Sequence, residues 1–106
     1  PSFPQYDLAK RQMRHTGTVL SIDLAGGRAA AEHVLATLRL ARAATSLGGP
    51  ETPVCHPATS THASYTPAEA DFAGVTPGLL RVSVGLEDAG DLLRDVLDAL
   101  AAAPDA

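Results

Sequence analysis

Hydrophobic and polar positions alternate over residues 18–24, TVLSIDL, placing Leu20, Ile22 and Leu24 on one face and Ser21 and Asp23 on the other. A period of two marks a strand with one buried side. Ala25-Gly26-Gly27 ends it, and Gly27 suits the sharp turn because glycine tolerates positive φ. The period then lengthens. Ala31, Val34, Leu35 and Leu38 recur at helical spacing and predict a helix over about 28–40. Alternation returns at Leu79–Val84, with Leu80, Val82 and Val84 on one face and Arg81 and Ser83 on the other. The last segment is helical again: Asp88 is a candidate N-cap, and Leu92, Leu93, Val96, Leu97 and Leu100 form an apolar face running to about Ala102.

The intervening stretches are less regular. Residues 1–16 read as a linker or docking arm, with a short helix over Gln5–Met13. Within 41–65, Ala43–Ser46 is a candidate short strand, and Leu47-Gly48-Gly49-Pro50 is a loop by composition. Pro53 and Pro57 confine any strand at Val54-Cys55 to a sheet edge or a very short element. Thr66-Pro67-Ala68-Glu69 has the threonine, proline and glutamate of a capped helix start, and Gly74 and Pro77 keep that helix short. The predicted class is α/β, in the sense of a two-layer α+β arrangement: a small antiparallel sheet covered on one face by helices. Residues 17–106 form the one domain, and 106 residues leave room for a single core.

Composition narrows the chemistry. The chain holds 20 alanines and only four aromatic residues, so small and aliphatic side chains must fill its interior. Eight basic against twelve acidic residues give a net charge of −4, which offers phosphates no broad attractive field; no nucleic-acid partner is expected. The basic run of Lys10, Arg11 and Arg14 is too small to change that. Cys55 is the only cysteine, so no internal disulfide forms, and no apolar stretch of about 18 residues marks a membrane span. A soluble, cytoplasmic protein without a membrane partner is the expectation. Pro1 in place of Met is expected of a processed, excised or incomplete chain.

Candidate chemistry is sparse. His56 and His62 lack an acidic ligand between them, and no metal site is expected. Gly26-Gly27 lacks the third glycine of a dinucleotide fingerprint. Adjacent Cys55 and His56 point apart on an extended chain and make no nucleophile pair. Two features remain. Ser46-Leu47-Gly48-Gly49 is either a plain tight turn or an anion-facing loop. Arg81, on a strand, offers a planar donor fork that matches a carboxylate, its ordinary alternative being an ion pair with Glu51 or Glu87.

These motifs carry a resemblance. Ser46-Leu47-Gly48-Gly49, His56-Pro57, Thr61-His62 and Leu80-Arg81-Val82-Ser83-Val84-Gly85-Leu86-Glu87, together with Pro4-Gln5-Tyr6 and Lys10-Arg11-Gln12-Met13, stand in the order found in one family. The chain resembles the C-terminal domain of the cysteine/methionine metabolism (transsulfuration) family of pyridoxal-phosphate enzymes, over nearly its whole length. The resemblance implies the C-terminal domain of a fold-type-I transferase, with pyridoxal 5'-phosphate held mainly by a large domain of the same or a companion chain. It implies that Arg81 binds the substrate α-carboxylate, that Ser46 lies beside both substrate and cofactor, and that Thr61 lines the same pocket. No residue here is expected to be catalytic. The family's Schiff-base lysine belongs to the large domain, and the one lysine, Lys10, lies in the arm; the chain alone is expected to be inactive.

The implied whole is a homo-oligomeric carbon–sulfur lyase acting on a small sulfur amino acid, like methionine γ-lyase or the cystathionine lyases. The alternatives are a cystathionine γ-synthase, an O-acetylhomoserine sulfhydrylase, or a non-catalytic amino-acid-binding or regulatory module. Thr45 stands where cystathionine γ-lyases carry glutamate, and the stretch from Tyr65-Thr66-Pro67 to Glu87 leans towards methionine γ-lyase.

Overall fold

The computed structural model describes residues 1–105. In chain order it contains α1 (Tyr6–Gln12), β1 (Val19–Asp23), α2 (Gly27–Thr37), β2 (Arg42–Ala43), β3 (Pro53–Cys55), a 3-10 turn (Pro57–Thr59), α3 (Pro67–Ala73), β4 (Leu79–Ser83) and α4 (Ala89–Ala101). The four strands make one sheet in the order β1-β4-β3-β2. β4 pairs antiparallel with both β1 and β3. The β2–β3 pair is parallel, which the expected all-antiparallel sheet did not include. Both strands are short, and the 44–52 loop carries the chain back beside β2 in the same direction; Arg42 and Ala44 donate to the carbonyls of Thr52 and Val54.

β3 resolves the proline question. It lies between β4 and β2, inside the sheet, but is only three residues long. Pro53 is its first residue, where a strand tolerates a missing N–H. The expected strand over 43–46 is reduced to Arg42–Ala43.

The core joins Ala31 and Val34 of α2, Ala41, Val54 of β3, Leu80 and Val82 of β4, and Leu92 and Ala99 of α4. Leu35, Leu38 and Leu100 pack around it. The helical face expected over residues 31–38 is therefore present, although α2 stops at Thr37. Leu38 turns to extended backbone (φ −57°, ψ 137°), and Asp95 of α4 accepts the N–H groups of Arg39, Leu40 and Ala41 at 2.8–2.9 Å. Burial works against ionised Asp95, but those three N–H donors, helped by the nearby Arg39 charge, hold its carboxyl below the usual range.

Two expected apolar faces are narrower than the sequence suggests. On α4, Leu92 and Ala99 are buried and Val96 and Leu100 half-buried, whereas Leu93 and Leu97 are 59% and 52% exposed. Adjacent helix positions lie about 100° apart, so a helix seated on residues 92, 96 and 99 turns the next residues away. On β1, Ile22 and Leu24 are half-buried but Leu20 is 46% exposed. β1 is an edge strand, and its first residues lie beside the arm rather than the core: Met13, Val19 and Leu20 line a groove with Phe3 and Tyr6.

The capped start of α3 forms as read. Thr66 accepts from the Glu69 N–H, and Glu69 accepts in turn from the Thr66 N–H at 2.7 Å. No helix is long and apolar enough to cross a membrane among the described residues.

Candidate functional site

Strand alternation places the candidate functional face. Leu80 and Val82 point into the helix-covered core, which directs Arg81 and Ser83 to the opposite side. Arg81 sits in register between Ser21 of β1 and Cys55 of β3. The 44–52 loop crosses this side of the sheet and supplies the contacts that orient the guanidinium. Arg81 Nη2 donates to the carbonyl oxygens of Thr45 (2.7 Å) and Ser46 (3.1 Å). Its Nε is buried and has no hydrogen-bond partner. A buried guanidinium N–H without an acceptor is costly, but Nε is closed off from any ligand; Nη1, which makes no hydrogen bond among the described residues, is the end of the fork left for a carboxylate.

The same loop is tied to the segment after Arg81 at three further residues, Gly48, Pro50 and Thr52. Gly48 N–H donates to Ser83 Oγ (3.1 Å). Beyond it, Leu86 N–H donates to the Pro50 carbonyl (2.7 Å) and Gly85 N–H to Thr52 Oγ1 (2.8 Å). Glu87 closes the series, accepting from the hydroxyl and N–H of Thr52, each at 2.8 Å. Glu87's own N–H and the Thr52 hydroxyl hold its carboxyl below the usual carboxylate range. The expected alternative for Arg81, an ion pair with Glu51 or Glu87, is not formed among the described residues: Glu87 is engaged with Thr52.

The residues singled out from sequence are not equally joined. Arg81 and Ser46 meet through the Ser46 carbonyl, and the Ser46 side chain is exposed at the rim. Thr61 lies past the 3-10 turn with its hydroxyl on His62 Nδ1 (2.7 Å); among the described residues no hydrogen bond links it to Arg81 or Ser46. His56 has a structural part. Its buried ring donates from Nε2 to the Pro77 carbonyl (2.7 Å), leaving Nδ1 to accept from the Thr59 hydroxyl (2.8 Å). Cys55 is buried, and no cluster suited to a metal ion occurs among the described residues.

Ser83, Thr52 and Glu87 were not anticipated as site residues. The sequence hints at two of them: Ser83 and Glu87 stand in the Leu80–Glu87 motif, and Glu87 is there an ion-pair option for Arg81; nothing local marks Thr52.

Fold and site together define a small α+β domain that presents an orienting loop and an arginine on the uncovered side of its sheet. The chain belongs to the family of Cys/Met metabolism PLP-dependent enzymes, whose pattern it matches over residues 1–101. It is 47% identical over 102 residues to an L-methionine gamma-lyase of Pseudomonas deceptionensis, covering 96% of this chain and 26% of that protein. To an O-succinylhomoserine sulfhydrylase of Pseudomonas aeruginosa it is 43% identical, covering 96% of this chain and 25% of the relative. Among solved structures, cystathionine gamma synthase from Xanthomonas oryzae pv. oryzae in complex with cystathionine superposes with a TM-score of 0.82 at 42% identity, over 94% of this chain and 26% of that one. The chain thus spans about a quarter of the length of these relatives.

Members of the family depend on pyridoxal phosphate. The residues here do not fit its aldehyde end: the only lysine, Lys10, lies on α1 with its ammonium 5.3 Å from the centre of the Tyr6 ring. No cofactor-borne step is assigned to this chain.

Proposed function

We propose that residues 17–106 are the substrate-carboxylate side of a PLP-dependent carbon–sulfur lyase acting on a small sulfur amino acid, with residues 1–16 as a linker or docking arm. The observation that carries the reading is the Arg81 guanidinium, whose Nη2 is fixed by two backbone carbonyls while its Nη1 makes no hydrogen bond among the described residues. Arg81 binds the α-carboxylate, Ser46 flanks both carboxylate and cofactor, and Thr61 lines the same pocket. Fixing the carboxylate fixes the Cα–H bond relative to a base supplied from outside these residues, so the chain's share of catalysis is orientation. The partner is a large cofactor-binding domain of the same or a companion chain. Similarity to the Pseudomonas deceptionensis L-methionine gamma-lyase favours lyase chemistry. The sulfhydrylase and synthase relatives favour replacement at the same carbon skeleton as the second reading.

The test is Arg81→Ala in the full-length, cofactor-loaded enzyme. The expected result is a loss of about a hundredfold in kcat/KM for amino-acid substrates, with the bound-cofactor absorbance unchanged. Unchanged kcat/KM refutes the assignment. Product analysis, keto acid and thiol against a new thioether, decides between lyase and replacement chemistry.

A further inference from the structure

Ser83 is 2% exposed, one of the few polar side chains buried in an alanine-rich domain, and nothing in the carboxylate reading gives it work. Its surroundings do. It lies two residues from Arg81, on the same face of β4, and its Oγ accepts the Gly48 N–H at 3.1 Å. Gly48 has φ +75°, a conformation that favours glycine, and it lies two residues after Ser46, whose carbonyl with that of Thr45 holds Arg81 Nη2. One short loop is thus gripped at two neighbouring points of one strand, with carbonyls given to Arg81 and an N–H given to Ser83. Were Ser83 unable to accept, the Gly48 N–H would lose its protein partner and the loop would be free to shift. The two carbonyls would then move with it.

We propose that Ser83 is a positioning residue: by anchoring Gly48 it holds the Thr45–Ser46 carbonyls where they aim the Arg81 guanidinium at the substrate carboxylate. The inference rests on the carboxylate role proposed for Arg81. It assigns Ser83 no contact with substrate. Its effect is selective for ligands that carry a carboxylate, which separates it from a general contribution to stability.

The experiment compares equilibrium binding of L-norleucine and of pentylamine, its counterpart without the carboxylate, to the full-length holoenzyme by calorimetry. Ser83→Ala is expected to bind L-norleucine about three- to tenfold more weakly, the loss of one hydrogen bond, with pentylamine affinity unchanged. Ser83→Thr, which keeps the acceptor oxygen, is expected to restore norleucine affinity to within about twofold. Equal weakening of both ligands, or norleucine binding at the wild-type level in Ser83→Ala, overturns the inference. Arg81→Ala run in parallel separates the two claims. If it abolishes the preference for norleucine while Ser83→Ala does not affect it, only the positioning role fails; if Arg81→Ala leaves the preference intact, the carboxylate role fails as well. Should Ser83→Ala not fold, Ser83→Cys decides, since its thiol keeps the size of the side chain but accepts only weakly. Selective loss of norleucine binding in that variant supports the anchor, and wild-type binding overturns it.

Discussion

At Gly85 the chain has no room for a side chain: a Cβ there would fall on the Pro50 carbonyl oxygen and crowd Glu51 and Glu87. That approach lets the Gly85 and Leu86 N–H groups reach Thr52 and Pro50 and so fastens the far end of the orienting loop. Gly85→Ala is expected to destabilise the protein by about 1–3 kcal/mol, because backbone rather than a flexible side chain must give way; thermal unfolding measures it. Arg81 stood out in the sequence because an arginine in an alternating strand announces itself, and the carboxylate role that the family resemblance implies for it is the one proposed above. Ser83, Thr52 and Glu87 did not. Their work depends on partners 35 residues away, and no local pattern encodes such a pairing. The apparent ion-pair options for Arg81 failed for the same reason, since Glu87 is taken by Thr52.

Among the elements, α4 shows how burial selects from an amphipathic pattern. Leu92→Ala is expected to cost about 2–5 kcal/mol by leaving a cavity in the core, whereas Leu97→Ala, on the exposed side, is expected to cost under about 1 kcal/mol. Denaturant melts of the two variants compare them directly, and equal losses would contradict the observed seating of the helix. The same helix ends its neighbour. Asp95 collects three backbone N–H groups after α2, so Asp95→Ala is expected to cost about 2 kcal/mol and to loosen residues 39–41, visible as faster amide exchange there. Helix and strand identities came through from periodicity, and the α3 capping box came through because its partners are three residues apart. Strand lengths in the 41–55 region did not. There prolines and alanines carry no period, and the pairing of β3 with β4 and of β2 with β3 decides what is strand.

For the molecule as a whole, pH offers a collective test. Asp95, Glu87 and Glu69 all have carboxyls held below their ordinary values in the folded state. Each contributes stability that is present above the unfolded carboxylate value of about 4 and is lost as pH falls through the lower folded value. The urea midpoint is therefore expected to be flat from pH 7 to 5 and to fall below about pH 4. Asp95→Asn is expected to start lower and fall less steeply, and an unaltered acid slope in that variant would count against the Asp95 contribution.

By itself the sequence determined the two-layer class, the helices and strands with clear period, the capped starts of α3 and α4, and the motif string that places the chain in its family. Each of these rests on residues close in the chain or on their order along it. Only the tertiary structure decided which leucines of α4 and β1 are covered, that β3 lies inside the sheet in parallel with β2, and that one loop is fastened to β4 so as to orient Arg81. Those outcomes depend on which surfaces meet and which donors find acceptors across the fold, and such pairings exist only once distant segments have been brought together.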